Sequence, residues 1–517
     1  MIRRPARVYV AAGALCLILS GCTTVGPDFQ SPTTAWDEGW VSPTLSGLAK
    51  TGEAPADWWR QFNDPALEAL MTEVLATNPS LKIAGLRVLE ARAQLGVAQS
   101  GLRPQQVVVN GAGGYGASAP GGAAISDFDA LFGSAGISGG WEIDFWGRFR
   151  RGIESADANY FASTADYDDA LILLRAQVAQ LYFAYRTNQE RLAIARQNAA
   201  FQKRSVEIAQ TLFRNGATDE LDLLQARTQN LGTLATIPPL ETSLQQTRNA
   251  LATLLGRPPG DLPELALSPD KLPAIPEPLA VSIPADLLRR RPDIRAAAFR
   301  AGAQSARIGV VKSDLYPHLS IFGAFSLTRT TLGGLSNSTD VGLGPSLSWN
   351  ILDFGRIHNG VRVEDARFQQ ALEAYEATVL QAAREVDDAS VAFARGREQT
   401  VVLDQAQQAA RRALDIAMIG YKEGFVDFER VLTSQAALLN QQERYVSNRG
   451  QTLASLAGLY QALGGGWTAP GAPDYVDADT RAQMKARTNW GGLLDQPLPA
   501  APPAQADPVT KSGSPHE

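Results

Sequence analysis

Alternating apolar and polar residues predict four β-strands, arranged in two pairs that lie far apart along the chain. Each strand has about ten residues, with one apolar face and one polar face. The apolar positions are Val107, Val109 and Tyr115 in the first strand, Ile137, Gly139, Trp141, Ile143 and Phe145 in the second, Leu319, Ile321, Phe325 and Leu327 in the third, and Val341, Leu343, Leu347, Trp349 and Ile351 in the fourth.

Two environments suit strands of this kind. One is the half-buried sheet of a soluble sandwich, and the other is an outer membrane, which strands of about 9–11 residues can cross. Four strands cannot cover a core beside the long helices described next, and they cannot close a barrel, for which about eight is the minimum. A membrane location therefore requires several chains per barrel. The apolar face would then meet lipid, as we expect for Trp141, Ile143, Trp349 and Ile351.

After each strand pair the apolar residues recur in steps of three and four, which predicts α-helix. One apolar stripe covers Leu171–Phe213 and the other covers Val379–Tyr421. A helix over Arg148–Arg214 would be about 100 Å long, and a period of about 3.5 residues implies coiled-coil packing. Gly216 and Gly424 follow the stripes and predict left-handed caps. A second helix then returns in each half.

The pattern occurs twice because the chain contains a duplicated unit. Trp141 recurs as Trp349 at a shift of 208 residues, and upstream Pro79 recurs as Pro292 at a shift of 213. Two copies are too few for a solenoid, which needs at least about three. The duplication therefore indicates pseudo-symmetry.

The duplication also divides the chain into segments. Residues 57–257 form the first copy, with a helix, two strands, a long helix and a return helix, and residues 284–466 form the second copy. Residues 258–283 are a proline-rich linker between the two copies. Residues 467–517 are rich in proline and alanine, and we expect this tail to be disordered.

The first 21 residues have the features of a signal peptide. Arginines at positions 3, 4 and 7 precede an apolar stretch at residues 8–19, which is too short to span a hydrocarbon core of about 30 Å. Residues 19–22 (LSGC) resemble the bacterial lipobox, in which the signal is cut before the cysteine and the thiol is lipidated. An ordinary signal peptide with a chance cysteine is the alternative. A lipidated Cys22 would begin an anchored N-terminal segment at residues 22–56.

Composition argues against enzymes, metalloproteins and nucleic-acid-binding proteins. The 517 residues include two cysteines and three widely separated histidines, which disfavours a disulfide scaffold, a thiolate cluster and a histidine metal site. A formal net charge of −6 is unsuited to neutralising phosphate backbones. Gly111–Gly116 matches G-x-G-x-x-G without a helix pattern beginning there, and Arg289–Arg291 precede a helix in an acidic chain. We expect no catalytic residues, no metal, and no cofactor other than covalent lipid on Cys22.

Three segments resemble hallmarks of the outer-membrane efflux protein family, the TolC-like exit ducts, and within it the NodT-type lipoprotein branch. They are residues 22–29 (CTTVGPDF), 58–65 (WWRQFNDP) and 287–295 (LLRRRPDIR). The resemblance implies a mainly α fold with membrane β-structure. Long coiled-coil-like helices would form a periplasmic α-barrel, and four strands from each of three chains would close a 12-stranded outer-membrane β-barrel.

The resemblance also implies a function. A homotrimer, lipid-anchored in the bacterial outer membrane and extending into the periplasm, would be a passive exit duct for small toxic compounds. A periplasmic adaptor (membrane fusion) protein and an inner-membrane efflux pump of the resistance-nodulation-division class would deliver them. An exit duct for protein secretion and a non-conducting scaffold lipoprotein of the envelope are the alternatives.

The helix tips carry over from the family residue by residue. Gly216 and Gly424 match the turns that face the adaptor. Asp222 and Tyr421 match an aspartate and a tyrosine that bond across protomers and hold the tip closed. The family's companion threonine–arginine link is missing here, because Leu221 and Val426 occupy those positions.

The pore acids of the family carry over less well. Two aspartates that ring the narrowest pore correspond to Arg430 and Thr433, so other acids would have to supply the charge. The residues expected at the periplasmic gate are Asp222, Tyr421, Asp219, Asp427, Glu429 and Arg430.

Overall fold

Most of the two duplicated copies is visible in the computed structural model of the chain. The structure describes residues 24–30, 32, 57–117, 129–276, 291–331, 336–465 and 474–496. The predicted signal peptide, Cys22, Arg289 and the last part of the tail lie outside the described residues.

Each half of the chain contains two strands followed by a long helix and a shorter return helix. After a 3-10 helix at Trp58–Phe62, the first half comprises α1 (Pro65–Thr77), α2 (Pro79–Ser100), β1 (Gln106–Ala117), β2 (Asp129–Glu142), α3 (Arg148–Arg214) and α4 (Glu220–Leu254). After a 3-10 helix at Pro263–Leu267, the second half comprises α5 (Pro292–Ser313), β3 (His318–Thr330), β4 (Ser336–Ser348), α6 (Arg356–Lys422), α7 (Phe428–Ala462) and α8 (Ala478–Arg487).

Corresponding helices of the two halves have equal lengths, as the duplicated sequence predicts. Helices α2 and α5 have 22 residues each, α3 and α6 have 67 each, and α4 and α7 have 35 each. A 67-residue helix is about 100 Å long. Helix α3 begins and ends at the predicted residues, Arg148 and Arg214.

The four longest helices pack side by side in the order α6, α7, α3, α4. Helices α3 and α4 form one antiparallel hairpin and α6 and α7 form the other, so α4 and α6 are the outer members of the row. Helix α4 continues through Pro238 and Pro239, although each proline lacks the N–H that would bond within the helix. Among the described residues, no helix has a stretch that is both long and apolar enough to cross a membrane.

The main hydrophobic core lies where the N-terminal helices pack against α3, α6 and α7. Trp58 is 1% exposed and stacks on Tyr460, with ring centroids 4.9 Å apart. Phe62 packs against Phe183 of α3 at 5.1 Å. The motif at residues 58–65 is therefore part of this core. A second, smaller core joins the two hairpins near their tips, with Leu223, Leu414 and other apolar residues.

The four strands form one antiparallel sheet in the order β1-β2-β3-β4. Strands β1 and β2 pair within the first half, β3 and β4 within the second half, and β2 pairs with β3 across the duplication. Each half thus supplies two neighbouring strands to a common sheet.

The prediction of a disordered tail is wrong for residues 474–496. Asp477 caps α8, with its Oδ1 accepting a 2.9 Å hydrogen bond from the Thr480 N–H. Met484 and Leu494 pack on Leu89 of α2 and are 8% exposed. The prediction rested on the overall proline- and alanine-rich composition, in which these few apolar residues carry little weight. They bury enough apolar surface against α2 to order the segment.

The proline-rich linker is packed against α3 where it is described, at residues 258–276. Arg186 is fully buried and donates hydrogen bonds of 2.6 Å to the Leu265 carbonyl and 3.3 Å to the Ser268 carbonyl. Its guanidinium also meets the Asp270 carboxylate at 3.1 Å. The linker therefore follows a fixed path over the first copy.

Candidate functional site

The apolar positions predicted for the sheet all lie on one face, because the register pairs odd-numbered residues with odd-numbered residues across all four strands. One such row contains Val109, Ile137, Phe325 and Val341. The neighbouring row, on the opposite face, contains Val108, Ser138, Ala324 and Gly342. Directly paired residues share a face and successive residues alternate, so the odd face is apolar and the even face is small or polar.

Nothing in the described part of the chain covers the apolar face. Val109 is 79% exposed, Ile137 47% and Val341 76%. An apolar sheet face of this extent needs lipid or protein against it, because exposed patches of this size are unfavourable in water. The four-stranded sheet also has two free edges, β1 and β4, whose backbone groups need partners in a membrane.

Two phenyl rings interrupt the small and polar face, which the sequence pattern did not predict. Phe132 and Phe322 have even numbers and are 43% and 46% exposed. A Cβ on Gly344 would lie 3.4 Å from the Phe322 ring, and a Cβ on Gly114 would lie 2.9 Å from the Phe132 ring. Each ring therefore covers a glycine of the adjacent strand, which compensates for the missing side chain.

Strands β2 and β4 end earlier than predicted. Strand β2 ends at Glu142 and β4 at Ser348, so Trp141 lies within a strand whereas Ile143, Phe145, Trp349 and Ile351 follow the strand ends. Helix capping accounts for the difference. The Asp144 carboxylate accepts hydrogen bonds from the N–H groups of Phe149 and Arg150 at 3.1 and 3.0 Å. The chain must leave the sheet for this carboxylate to reach the start of α3.

The second half makes the same turn with its own aspartate. Asp353 accepts hydrogen bonds from Gly355 N–H at 3.0 Å and Ile357 N–H at 2.7 Å. These backbone hydrogen bonds lower the pKa of the Asp353 carboxyl. Gly147 and Gly355, with φ of 80° and 86°, occupy the left-handed region just before the long helices.

Two tryptophans fasten the strand ends in a pseudo-symmetric way. The Trp141 indole Nε1 donates to the Leu102 carbonyl at 3.3 Å, and the Trp349 Nε1 donates to the Leu315 carbonyl at 3.0 Å. Both rings are partly exposed, at 37% and 54%. A tryptophan with an apolar body and a satisfied N–H suits the boundary between lipid and water.

The long hairpins end in two equivalent glycine turns at the opposite end of the molecule. Gly216 and Gly424 have φ of 70° and 78°. The Ala217 N–H bonds to the Leu212 carbonyl at 2.9 Å, and the Phe425 N–H bonds to the Gly420 carbonyl at 2.7 Å. These are Schellman caps, as the glycine positions predict.

The predicted gate pair lies close together in a single chain, at the tip. Tyr421 packs on the small core of the tips, with its ring 5.2 Å from that of Phe428. Burial and the nearby charge of Asp222 both raise the pKa of the Tyr421 phenol. The Asp222 carboxylate accepts a hydrogen bond from the Thr218 hydroxyl. Whether Tyr421 and Asp222 bond across protomers stays a prediction.

The other charged residues expected at the gate surround the same tips. Asp219 and Asp427 are the N-cap residues of α4 and α7, and Glu429 lies in the first turn of α7. All three are exposed, and so is Arg430. Negative charge at these positions is favourable for the helices themselves, because helix N-termini carry partial positive charge.

The outer helices of the row carry exposed apolar stripes. Leu221, Leu224, Leu231 and Leu234 of α4 are 43–64% exposed. The hairpin contact uses Leu223, Ala226 and Leu240 instead. On α6, Val402, Ile416 and Ile419 are 56–63% exposed. These three residues lie beside the stripe predicted for α6, whose Leu403, Leu414 and Ala417 are buried.

The described residues offer no group of three histidine, cysteine, aspartate or glutamate side chains that could hold a metal ion.

Comparison with known proteins identifies a family. The family model described as "Outer membrane efflux protein" matches residues 70–257 and 283–465. The pyoverdine export outer membrane protein OpmQ of Pseudomonas putida is 30% identical over 467 residues, covering 88% of this chain and 97% of the relative. The probable outer membrane lipoprotein SilC of Salmonella typhimurium is 28% identical, covering 87% of this chain and 97% of the relative.

A solved structure has the same architecture. The structure of the outer-membrane channel OprN matches with a TM-score of 0.78 and 32% identity, covering 86% of this chain and all of that chain. The fold class expected from the sequence, long helices with four membrane strands per chain, is therefore confirmed.

Proposed function

Because the chain belongs to the outer membrane efflux protein family, we propose that three copies of it form the outer-membrane exit duct of a tripartite efflux system. The observation that carries this function is the sheet, whose apolar face is exposed over four strands and whose opposite face is mainly small and polar. Three such sheets joined edge to edge would close a 12-stranded barrel with lipid outside and water inside. The family is a transport family rather than an enzyme family.

The helices support a duct that continues into the periplasm. In each chain, four helices stand in a row, and three chains would place twelve helices around one axis below the barrel. The lengths of α3 and α6, each about 100 Å, suit a tunnel that reaches far from the outer membrane. The glycine turns at Gly216 and Gly424 would meet the periplasmic adaptor, which connects the duct to an inner-membrane pump.

An acyl group on Cys22 would anchor each chain to the outer membrane. The lipobox-like residues 19–22 support it, and the relative SilC is described as an outer membrane lipoprotein. The lipid that a lipobox implies is a diacylglyceryl group with a further acyl chain, and two or more chains give stable anchoring, so the anchor would act together with the barrel. Asp222, Tyr421 and the acids Asp219, Asp427 and Glu429 would form the closed periplasmic end.

Small toxic compounds are the proposed cargo. The relative OpmQ is described as a pyoverdine export outer membrane protein, and TtgF of Pseudomonas putida as the outer membrane protein of a toluene efflux pump. An exit duct of this kind needs no recognition site for its cargo, because the pump selects the compounds that enter.

Single-channel recording tests this function directly. Purified trimers inserted in a planar lipid bilayer should give discrete conductance steps, whereas a scaffold lipoprotein should give none. Deleting the gene should raise sensitivity to several small compounds at once, and the wild-type gene should restore resistance. Normal resistance together with an electrically silent protein would contradict the proposal.

A further inference from the structure

The residues that follow Cys22 are held in a fitted groove. Arg151 of α3 is almost fully buried and points its guanidinium at this segment. Its Nε donates to the Val25 carbonyl at 3.2 Å, and one Nη donates to the Gly26 carbonyl at 3.3 Å and to the Asp28 carboxylate at 2.6 Å. Arg151 thus binds two backbone carbonyls and one side chain of the segment, besides a 2.7 Å contact with Glu154.

The segment also approaches the backbone of α5 as closely as glycine permits. A Cβ on Gly309 would lie 2.6 Å from the Val25 carbonyl oxygen, and a Cβ on Gly302 would lie 3.1 Å from the Phe29 ring. Gly26 has φ of 101°, and a Cβ there would lie 2.5 Å from the Gly309 Cα. Larger residues at these positions would push the segment off the helix.

The duplication provides an internal comparison for these residues. At a shift of 208, the position equivalent to Arg151 is Asn359, and at a shift of 213 the equivalent of Gly302 is Leu89. Gly309 corresponds to Gly96, whose Cβ position has nothing within 4 Å among the described residues. The arginine therefore occurs only in the copy that holds the segment. Burying an arginine costs free energy unless its N–H donors are hydrogen-bonded. The N-terminal segment accepts those hydrogen bonds, which explains why the arginine occurs in this copy and not in the other.

The groove lies where the sheet meets the long helices. The Val25 N–H donates to the Trp146 carbonyl at 3.1 Å, and Thr24 covers Gly147, the residue before α3. Cys22 is two residues before Thr24, so the chain length keeps their Cα atoms within about 7 Å of each other. An acyl group on Cys22 would therefore be attached close to the base of the sheet.

We propose that Thr24–Phe29 is a docking peptide and that the groove between α3 and α5, fastened by Arg151, is its receptor. Docking fixes the lipid at the base of the barrel, so that the anchor supports insertion and assembly of the strands instead of acting as a loose tether. The inference rests on the lipidation of Cys22 proposed above.

A double-mutant cycle on the full-length protein tests the coupling between lipid and groove. The variants are Cys22→Ser, Arg151→Gln and the two combined, and the readouts are trimer yield in outer-membrane extracts and acyl mass by mass spectrometry. Arg151→Gln should keep the acyl group, yet lower trimer yield as much as Cys22→Ser does. The combined variant should be no worse than Cys22→Ser alone.

Two further variants separate docking from general stability. Gly26→Ala changes the peptide and leaves both helices intact, and it should reproduce the effect of Arg151→Gln. In both, limited proteolysis should cut the N-terminal segment about tenfold faster than in the wild type. Arg300→Gln, on α5 and paired with exposed Asp166, is the matched control and should change neither readout.

The outcomes separate the inference from the function it rests on. If the loss of trimer yield in the combined variant is the product of the two single losses, the docking role is overturned while lipidation stands. The same follows if the N-terminal segment of Arg151→Gln and Gly26→Ala resists proteolysis as well as that of the wild type. Wild-type Cys22 without an acyl chain would overturn both the lipidation and the docking role, and conductance would still test the duct.

Discussion

At the scale of single residues, Tyr421 and Asp222 are the pair that we expect to hold the periplasmic end closed. Tyr421 and Asp222 lie near each other at the tip, and both hairpins meet there through the small apolar core. A hydrogen bond from a phenol to a carboxylate contributes about 1.5–3 kcal/mol. Three symmetry-related copies would sum to several kcal/mol, which is enough to keep a two-state gate mostly closed.

The gate prediction follows from this geometry. Tyr421→Phe combined with Asp222→Ala should raise resting single-channel conductance and sensitivity to large antibiotics, while trimer yield stays normal. Phe keeps the ring against Phe428, so the variant tests the hydroxyl rather than the packing. Glu220→Ala, on the exposed first turn of α4 and outside the expected gate residues, is the control for loss of one tip acid and should leave conductance unchanged. Wild-type conductance in the double variant would assign closure to other tip residues.

A partly buried carboxylate predicts a pH dependence of stability. Burial raises the pKa of Asp168 on α3 to about 6, against the smaller effect of Arg295, which lowers it. A raised pKa means that the folded state disfavours the charged form, so the stabilisation is present at low pH and is lost as the pH rises through about 6.

Asp168→Asn should therefore stabilise the protein mainly at neutral pH. We expect a gain of about 2 kcal/mol at pH 7.5 and a much smaller gain at pH 4.5, measured by thermal unfolding of purified trimers at both pH values. Asp166→Asn, an exposed carboxylate two residues earlier, should give no such pH-dependent gain. An equal change at both pH values for Asp168→Asn would show that packing, rather than charge, governs the site.

At the scale of secondary-structure elements, the sharpest prediction comes from the two faces of the sheet, one formed by odd-numbered and the other by even-numbered residues. Ile137 and Ser138 are neighbours near the middle of β2 and point to opposite faces. Ile137→Arg places a charge on the apolar face, which costs about 2–4 kcal/mol near a bilayer midplane. Ser138→Arg places the same charge on the polar face, where water is available.

Trimer yield in outer-membrane extracts measures the difference. Ile137→Arg should lower the yield strongly, whereas Ser138→Arg should leave it close to wild type and change ion selectivity instead. The two variants add the same side chain one residue apart, so each is the control for the other. Similar yields would contradict the assigned faces.

The sequence predicted the elements better than their ends. Helix α3 could be predicted residue by residue because proline is absent from it and Gly216 ends it with a left-handed cap. The ends of β2 and β4 could not, because Asp144 and Asp353 draw the chain out of the sheet to cap the next helix while apolar alternation continues. The tail helix α8 escaped prediction because it is ordered by contact with α2, a partner that local composition does not reveal.

The sequence located the candidate site less completely than the fold. The glycine turns and the pair Asp222 and Tyr421 were placed at the tips by resemblance, and the chain brings both pairs there. Gly302 and Gly309 at the N-terminal groove gave no periodic signal. Their role depends on which distant segment lies on α5, and only the three-dimensional structure supplies that information.

At the scale of the whole molecule, the exposed stripes of α4 and α6 predict how the chains join. These helices are the two ends of the row α6, α7, α3, α4, so closing a ring brings α4 of one protomer against α6 of the next. The leucines of α4 and the aliphatic residues Val402, Ile416 and Ile419 of α6 would then be buried. Burying a leucine side chain contributes about 1.5–3 kcal/mol, and a closed trimer repeats the contact three times.

Replacing one leucine of this stripe tests the arrangement. Leu231 is 64% exposed in one chain, and Leu231→Glu would place a charge in each of the three contacts between protomers. We expect the trimer to dissociate at a lower temperature or to fail to assemble, measured by native mass spectrometry and by heat dissociation on gels. Leu267→Glu is the matched control, because Leu267 is 57% exposed in the linker and lies off the stripe. If both variants form trimers of wild-type stability, α4 does not face a neighbouring protomer, and the ring must close through other helices.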